Sequence, residues 1–182
     1  MPDWTSDADG NASGFDVEAH LLSEDGVFPN NPKLPVLLYR QALIVTGPDA
    51  PEAILKRFAQ NHWGAGWVNG IYGFHHYHST AHEVLAIAAG RAQVQLGGEE
   101  GLVATVKAGD VVVIPAGVAH KNLDSSTDFT VVGAYPQGQH PDMCYGKPGE
   151  RPDADETIAH VSLPQSDPVA GPVGCLLQHW IA

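Results

Sequence analysis

Between Trp67 and about Tyr135 the chain alternates short apolar runs with small or polar breaks, and this rhythm predicts strands. The runs are Val84 to Ala89, Ala92 to Leu96, Ala104 to Val106, Val111 to Ile114 and Phe129 to Ala134, separated by Gly, Asp, Pro and Ser. Short strands so closely spaced read as an antiparallel sandwich or barrel. Val84 to Ala89 is apolar throughout, so it is expected to be a buried strand that stops at Gly90. Gly97 to Gly101 supplies a hairpin or loop between two strands.

A different period marks Pro51 to Gln60, where Pro and Glu occupy the first turn and Ile54, Leu55 and Phe58 share one face. This is the clear helix of the chain, and Asp49 stands where a cap would. Pro35 to Arg40 is apolar enough for an edge strand or an extended lead-in after the turn at Pro29 to Pro32. Trp63 and Trp67 lie among glycines, a setting that favours core packing over a ligand platform. Beyond Tyr135 the Pro-, Gly- and Asp-rich segment to about Pro172 has little periodicity and is expected to wrap the barrel as ordered coil. Cys175 to Trp180 then docks as a strand or short turn. Residues 1–14 are small, acidic and turn-rich, a composition expected of a flexible tail ahead of one domain over residues 15–182.

Composition narrows the class. A chain of 182 residues with 43% hydrophobic and 16% charged positions suits one globular domain with a core. Its formal charge of -12 argues against nucleic acid or an anionic membrane as partner, since both would repel it. The two cysteines, Cys144 and Cys175, have no C-x-x-C spacing and read as structural thiols in a reducing cytosol. The segment MPDWTSDADGNASG lacks the basic and apolar parts of a signal peptide, so a cytoplasmic location is expected. No apolar run approaches the roughly 18 residues of a membrane-spanning helix.

The candidate chemistry falls in two stretches. In Gly70 to Gly90, His76 and His78 are two apart, so on a strand both imidazoles face the same side. Glu83 follows His78 at an odd offset; a turn or bulge must intervene for it to join them, and Ser79-Thr80 suit a turn. In Gly109 to Asn122, a Gly-Asp turn, an apolar strand and a Pro-x-Gly turn lead to His120. Three imidazoles and one carboxylate suit a single divalent first-row transition metal ion, whether Fe, Mn, Ni, Zn or Cu, and leave coordination positions for water or substrate.

These two stretches resemble the two sequence motifs of the cupin superfamily. Gly70, His76, His78, Glu83 and Gly90 fall on every position of the first motif, and Gly109, Pro115, Gly117 and His120 on the second, where Asn122 stands two residues nearer the His than the family places its Asn. More narrowly, HHYHSTAHEVL, Leu96 to Gly98, GDVVVIPAGVAH and Gly133 to Gln139 are similar to the YjlB-like group of small bacterial single-domain cupins, over about Phe28 to Trp180. The resemblance implies an all-β, jelly-roll-like barrel with one N-terminal helix, and His76, His78, Glu83 and His120 converging inside its mouth. Sheet edges of the family often pair between subunits, so a homodimer is expected, with Val36 to Val45 as the exchanged element.

The other histidines are assigned no role. His75 points to the opposite face from His76, and His82 adjoins Glu83 in the presumed turn, where an outer contact or plain exposure is expected. By parity Tyr72 and Phe74 share the face of His76 and His78 and are the candidates for lining a substrate cavity, while Tyr77 faces away. Asp110 belongs to its turn. No G-x-S-x-G, phosphate loop, H-E-x-x-H or dinucleotide fingerprint occurs, so nucleophilic hydrolysis is unsupported. Two functions remain. One is a metal-dependent enzyme of the dioxygenase or isomerase type acting on a small oxygenated molecule, with the ion as Lewis acid or dioxygen-binding centre. The other is a non-catalytic module that binds or senses a small ligand. The chain has neither length nor positive charge for a fused DNA-binding region, which favours the enzyme.

Overall fold

The computed structural model describes residues 15–181, and the expected tail over residues 1–14 lies outside the described residues. Strands dominate: β1 Val17–His20, β2 Val36–Tyr39, β3 Trp63–Asn69, β4 Glu83–Ala89, β5 Arg91–Leu96, β6 Leu102–Lys107, β7 Val111–Ile114, β8 His120–Ser125 and β9 Thr130–Pro136. Helix α1, Ala50–Gln60, comes between β2 and β3, and the short helices α2, Asp153–Ala159, and α3, Leu176–His179, follow β9. The strands form a six-stranded sheet in the order β1-β2-β7-β4-β9-β3 and a three-stranded sheet in the order β6-β5-β8, with every pairing antiparallel. This is the antiparallel all-β architecture that the strand rhythm predicted, and the jelly roll that the cupin resemblance implied.

The two faces of the six-stranded sheet bury different things. One face carries Val84, Ala86, Val111, Val113, Val132 and Ala134, covered by Ile54 and Phe58 of α1 and by Leu176 and Trp180 at the chain's end. The other carries Leu85, Ile87, Val112 and Val131, packed against Ala92, Val94, Leu96, Ala104 and Val106 of the smaller sheet. Because strand side chains alternate, a strand buried on both faces must be apolar at nearly every position. That explains Val84 to Ala89, whose strand is hydrogen-bonded to β7 on one side and β9 on the other. The alternation also places Glu83, one residue before Val84, on the inter-sheet face. On β6 the outer face meets solvent, and buried Ala104 and Val106 alternate with exposed Val103, Thr105 and Lys107.

Several expectations need correction. Val36–Tyr39 is not an edge strand; β1 and β7 pair with it from either side within its own chain, which is why all four of its residues are buried. The edge belongs to β1, whose polar Glu18 and His20 interrupt any apolar run, so the strand rhythm did not single it out. Strand β3 was hidden by its glycines and β8 by the polar sequence HKNLDS, which lies half exposed on the smaller sheet. Asp49 makes no side-chain cap bond to α1. The segment after Tyr135 is largely coil, but it includes α2, and of the strand or short turn expected at the C-terminal stretch it is the turn that forms, as the four-residue α3.

Strand β3 also breaks the simple parity of its two tryptophans. Four residues apart, Trp63 and Trp67 would share a face on a regular strand. Instead the register against β9 slips between Gly64 and Trp67, with Ala65 at φ 49°, and the extra residue is a bulge that reverses the face. Trp63 is therefore buried under α1, donating its indole N–H to the Ser166 carbonyl at 2.9 Å. Trp67 looks between the sheets.

Candidate metal centre

His120 opens β8, while His76 and His78 lie just outside the named strands, contrary to the strand expected for them. Their segment is held by ladder fragments. His76 exchanges backbone bonds with His120 at 3.0 and 3.3 Å, Tyr77 does so with Cys144 at 2.9 and 3.0 Å, and the His78 carbonyl accepts from Gly117 N–H at 2.8 Å. The period-two argument survives because the backbone is extended here. His76 and His78 face inward, whereas Tyr77 turns away, fully buried, with its hydroxyl donating to Glu150 at 3.0 Å. His75 also turns away and packs its ring on Phe28 at 5.2 Å.

A bend at Ser79-Thr80 returns the chain so that Glu83 enters β4 facing the histidines. Asp142 holds that bend. Its carboxylate accepts the Ser79 N–H at 2.6 Å, the Ser79 hydroxyl, and the Thr80 N–H at 3.3 Å, while its own N–H donates to Thr80 Oγ1 at 2.9 Å. These bonds hold the Asp142 carboxyl below the usual carboxylate range, against the opposing effect of burial. Sequence reading missed this residue, since nothing in a coil-like stretch marks one Asp among several.

His76, His78 and His120 are buried, and each offers a nitrogen within 4.8 Å of the other two. Glu83 adjoins two members of this group: its Oε2 lies 3.2 Å from Nε2 of His120 and 3.4 Å from Nε2 of His78. In each imidazole Nδ1 faces a backbone carbonyl, that of Phe74 at 3.3 Å, of Asp142, and of Val118 at 3.2 Å. A carbonyl only accepts, so the ring proton belongs on Nδ1 and the Nε2 lone pair points inward. Backbone acceptors of this kind orient metal-binding histidines.

Glu83 Oε2 is buried and has no hydrogen-bond partner of good geometry. A buried carboxylate oxygen without a donor is costly unless a cation compensates it. Three inward lone pairs beside such an oxygen fit a divalent cation. Burial, then the neighbouring His120, pushes His76 down to about 3. Burial also opposes charge on His78, but Glu83 outweighs it and the net shift is upward. Glu83 is held far below its ordinary range by His120 and His78 despite the opposing effect of burial.

A cavity of about 240 Å³ opens above these residues, walled by Trp67, Ile71, Tyr72, Leu85, Tyr135 and Met143. No lysine or arginine lines it. Tyr72 is among the lining residues; Phe74 is stacked on it at 4.9 Å but lies outside the lining, half exposed at the rim. Trp67 packs against the inter-sheet core as expected and also lines the cavity, whereas Trp63 is core alone. Tyr135 was overlooked, although it stands in the Gly133 to Gln139 segment and meets the His78 ring edge-on at 5.7 Å. Burial, then the charge of Glu83, pushes its hydroxyl well above the usual tyrosine range. His82 is fully buried: its Nδ1 accepts the Ala116 N–H at 2.9 Å, its ring packs on Trp180 at 4.7 Å, and burial lowers it to about 4.

The family described as Cupin domain matches residues 68–132. The "Uncharacterized protein YjlB" of Bacillus subtilis (strain 168) is 42% identical over 167 residues, covering 91% of this chain and 98% of its own. Among solved structures, the acireductone dioxygenase from Bacillus anthracis with cadmium ion in its active centre is 16% identical, with a TM-score of 0.37 over 50% of this chain and 62% of its own. The dTDP-6-deoxy-D-glucose-3,5-epimerase from Legionella pneumophila is 11% identical, with a TM-score of 0.40 over 69% of this chain and 74% of its own. At 42% identity across nearly the whole of both chains, this protein belongs to the cupin superfamily, among the YjlB-like cupins.

Proposed function

We propose that His76, His78, Glu83 and His120 hold one divalent first-row transition metal ion, and that the protein is a metal-dependent enzyme acting on a small oxygenated molecule. The observation that carries this reading is the buried Glu83 oxygen, which lacks a hydrogen-bond donor and lies beside three imidazoles whose protons are fixed on the far side. When bound, the ion supplies Lewis acidity or a binding place for dioxygen. The chain supplies the rest. Backbone carbonyls fix the imidazole tautomers, Asp142 fixes the bend between His78 and Glu83, and the apolar walls at Ile71 and Leu85 limit water around the reacting atoms.

The lining also selects the substrate. A cavity of about 240 Å³ without lysine or arginine suits a small molecule that carries no phosphate or second anionic group. Both oxygen-dependent and isomerising reactions fit these constraints.

Elemental analysis of protein purified with each candidate metal tests the reading. The wild type is expected to carry about one equivalent per chain, as one converging ligand set implies. His120→Ala and His76→Ala are expected to carry almost none, while His179→Ala, changed at an exposed position far along the chain, stays at the wild-type value. Equal content in all four samples would remove the reading. Turnover of small phenols, keto acids and sugars by the loaded protein, with and without oxygen, then separates the two reaction types. Tight ligand binding without turnover would leave a binding module.

A further inference from the structure

On the cavity wall facing Glu83, Trp67 and Tyr135 form a hydrogen-bonded pair whose geometry was built by three separate features of the chain. The bulge in β3 turns Trp67 inward. Gly133, its cross-strand partner on β9, leaves the indole room to lie against the backbone; a Cβ at Gly133 would meet the ring at 2.1 Å. Tyr135, two residues further along β9, then receives the Trp67 indole N–H on its hydroxyl oxygen at 3.0 Å. An indole only donates, so Tyr135 is the acceptor in this bond and its own proton must point elsewhere. Tyr135 lines the same cavity as Glu83, His78 and Trp67.

We infer that Tyr135 is the hydrogen-bond donor for a ligand atom bound beside Glu83 and His78, and that Trp67 aims it. This rests on the proposed metal centre. The consequence is a preference in ligand chemistry. A ligand that presents an acceptor next to the ion, such as a carbonyl, enolate or phenolate oxygen, gains the Tyr135 bond. A ligand that presents only a donor there does not. The ring of Tyr135, edge-on to His78 at 5.7 Å, puts the hydroxyl on the same side of the cavity as the ligand set.

Two probes separate these cases on the cobalt-loaded protein, followed by visible absorption. Azide binds an ion through one nitrogen and leaves acceptor lone pairs outside; imidazole binds through one nitrogen and leaves only an N–H donor. Tyr135→Phe is expected to keep about one equivalent of cobalt and to weaken azide about tenfold, the usual effect of losing a hydrogen bond to a charged group, while imidazole is unchanged. Trp67→Phe, which removes the aiming N–H, is expected to weaken azide by a smaller factor with imidazole again unchanged; it also decides the matter if Tyr135→Phe does not fold. Full cobalt content with unchanged azide affinity in either folded variant would overturn the inference and leave the metal centre standing. Equal weakening of both probes would overturn it too, since Tyr135 would then only shape the ligand set. A wild type without cobalt would sink the metal centre and this inference together.

Discussion

Asp167, in the coil between α2 and α3, and Glu83, at the start of β4, are both buried carboxylates, yet their surroundings are opposite in kind. Asp167, under the helix-side face, accepts the Tyr39 hydroxyl at 2.6 Å and the backbone N–H groups of Val169, Ala170 and Leu176 at 2.8, 2.9 and 3.0 Å. Every lone pair that matters has a donor, and the carboxylate ties the C-terminal segment to β2. Glu83, on the inter-sheet face, has an oxygen with no such donor and imidazole nitrogens in its place. A satisfied buried carboxylate holds structure together; an unsatisfied one among inward lone pairs is prepared for something from outside.

The difference predicts opposite outcomes for removing the two charges. Asp167→Ala strands four donors in the core and is expected to destabilise the protein by about 3–5 kcal/mol, as for breaking a buried charged network. Urea unfolding of metal-free protein measures it, and the folded fraction should retain its metal capacity. Glu83→Gln is expected to lose metal affinity by more than the roughly ten- to hundredfold typical of outer contacts. Its metal-free form should lose less stability than Asp167→Ala does, because no buried backbone donor depends on the Glu83 oxygen. A large stability loss from Glu83→Gln would break the comparison, making that carboxylate structural after all.

Smaller changes sharpen it. Asp142→Ala frees the Ser79-Thr80 bend and the carbonyl that orients His78, so metal affinity should fall about tenfold with the ligands themselves intact. Isothermal titration with zinc would show it; an unchanged affinity would mean that the bend is held by its ladder bonds alone. Tyr39→Phe removes one donor to Asp167 and keeps the ring stacked on Phe15 at 5.4 Å. The expected effect is about 1 kcal/mol of stability in the same urea assay and none on metal content.

The smooth half of this molecule was legible because period and spacing are local. Strands β4, β5, β6, β7 and β9 and helix α1 follow from apolar alternation, and the two His and Glu motifs carry their own turns. Parity alone separated His76 and His78 from His75 and Tyr77. Where a strand was half polar, as β8, or rich in glycine, as β3, the same signal faded, because its pairing energy comes from partners far away in sequence.

What the sequence determined by itself is the set of residues able to meet: three imidazoles and a carboxylate, on strands and turns short enough to return to one another. Tertiary structure alone decided which neighbours complete them. Asp142 reaches the Ser79-Thr80 bend across more than sixty positions of chain, and Tyr135 meets Trp67 across a separation of 68. The bulge that sends Trp67 between the sheets and Trp63 under α1 is fixed by register against β9, and no local pattern in GAGW announces a register. Hydrogen bonds and cavity walls are relations between distant segments, so they exist only once the two sheets have closed on each other.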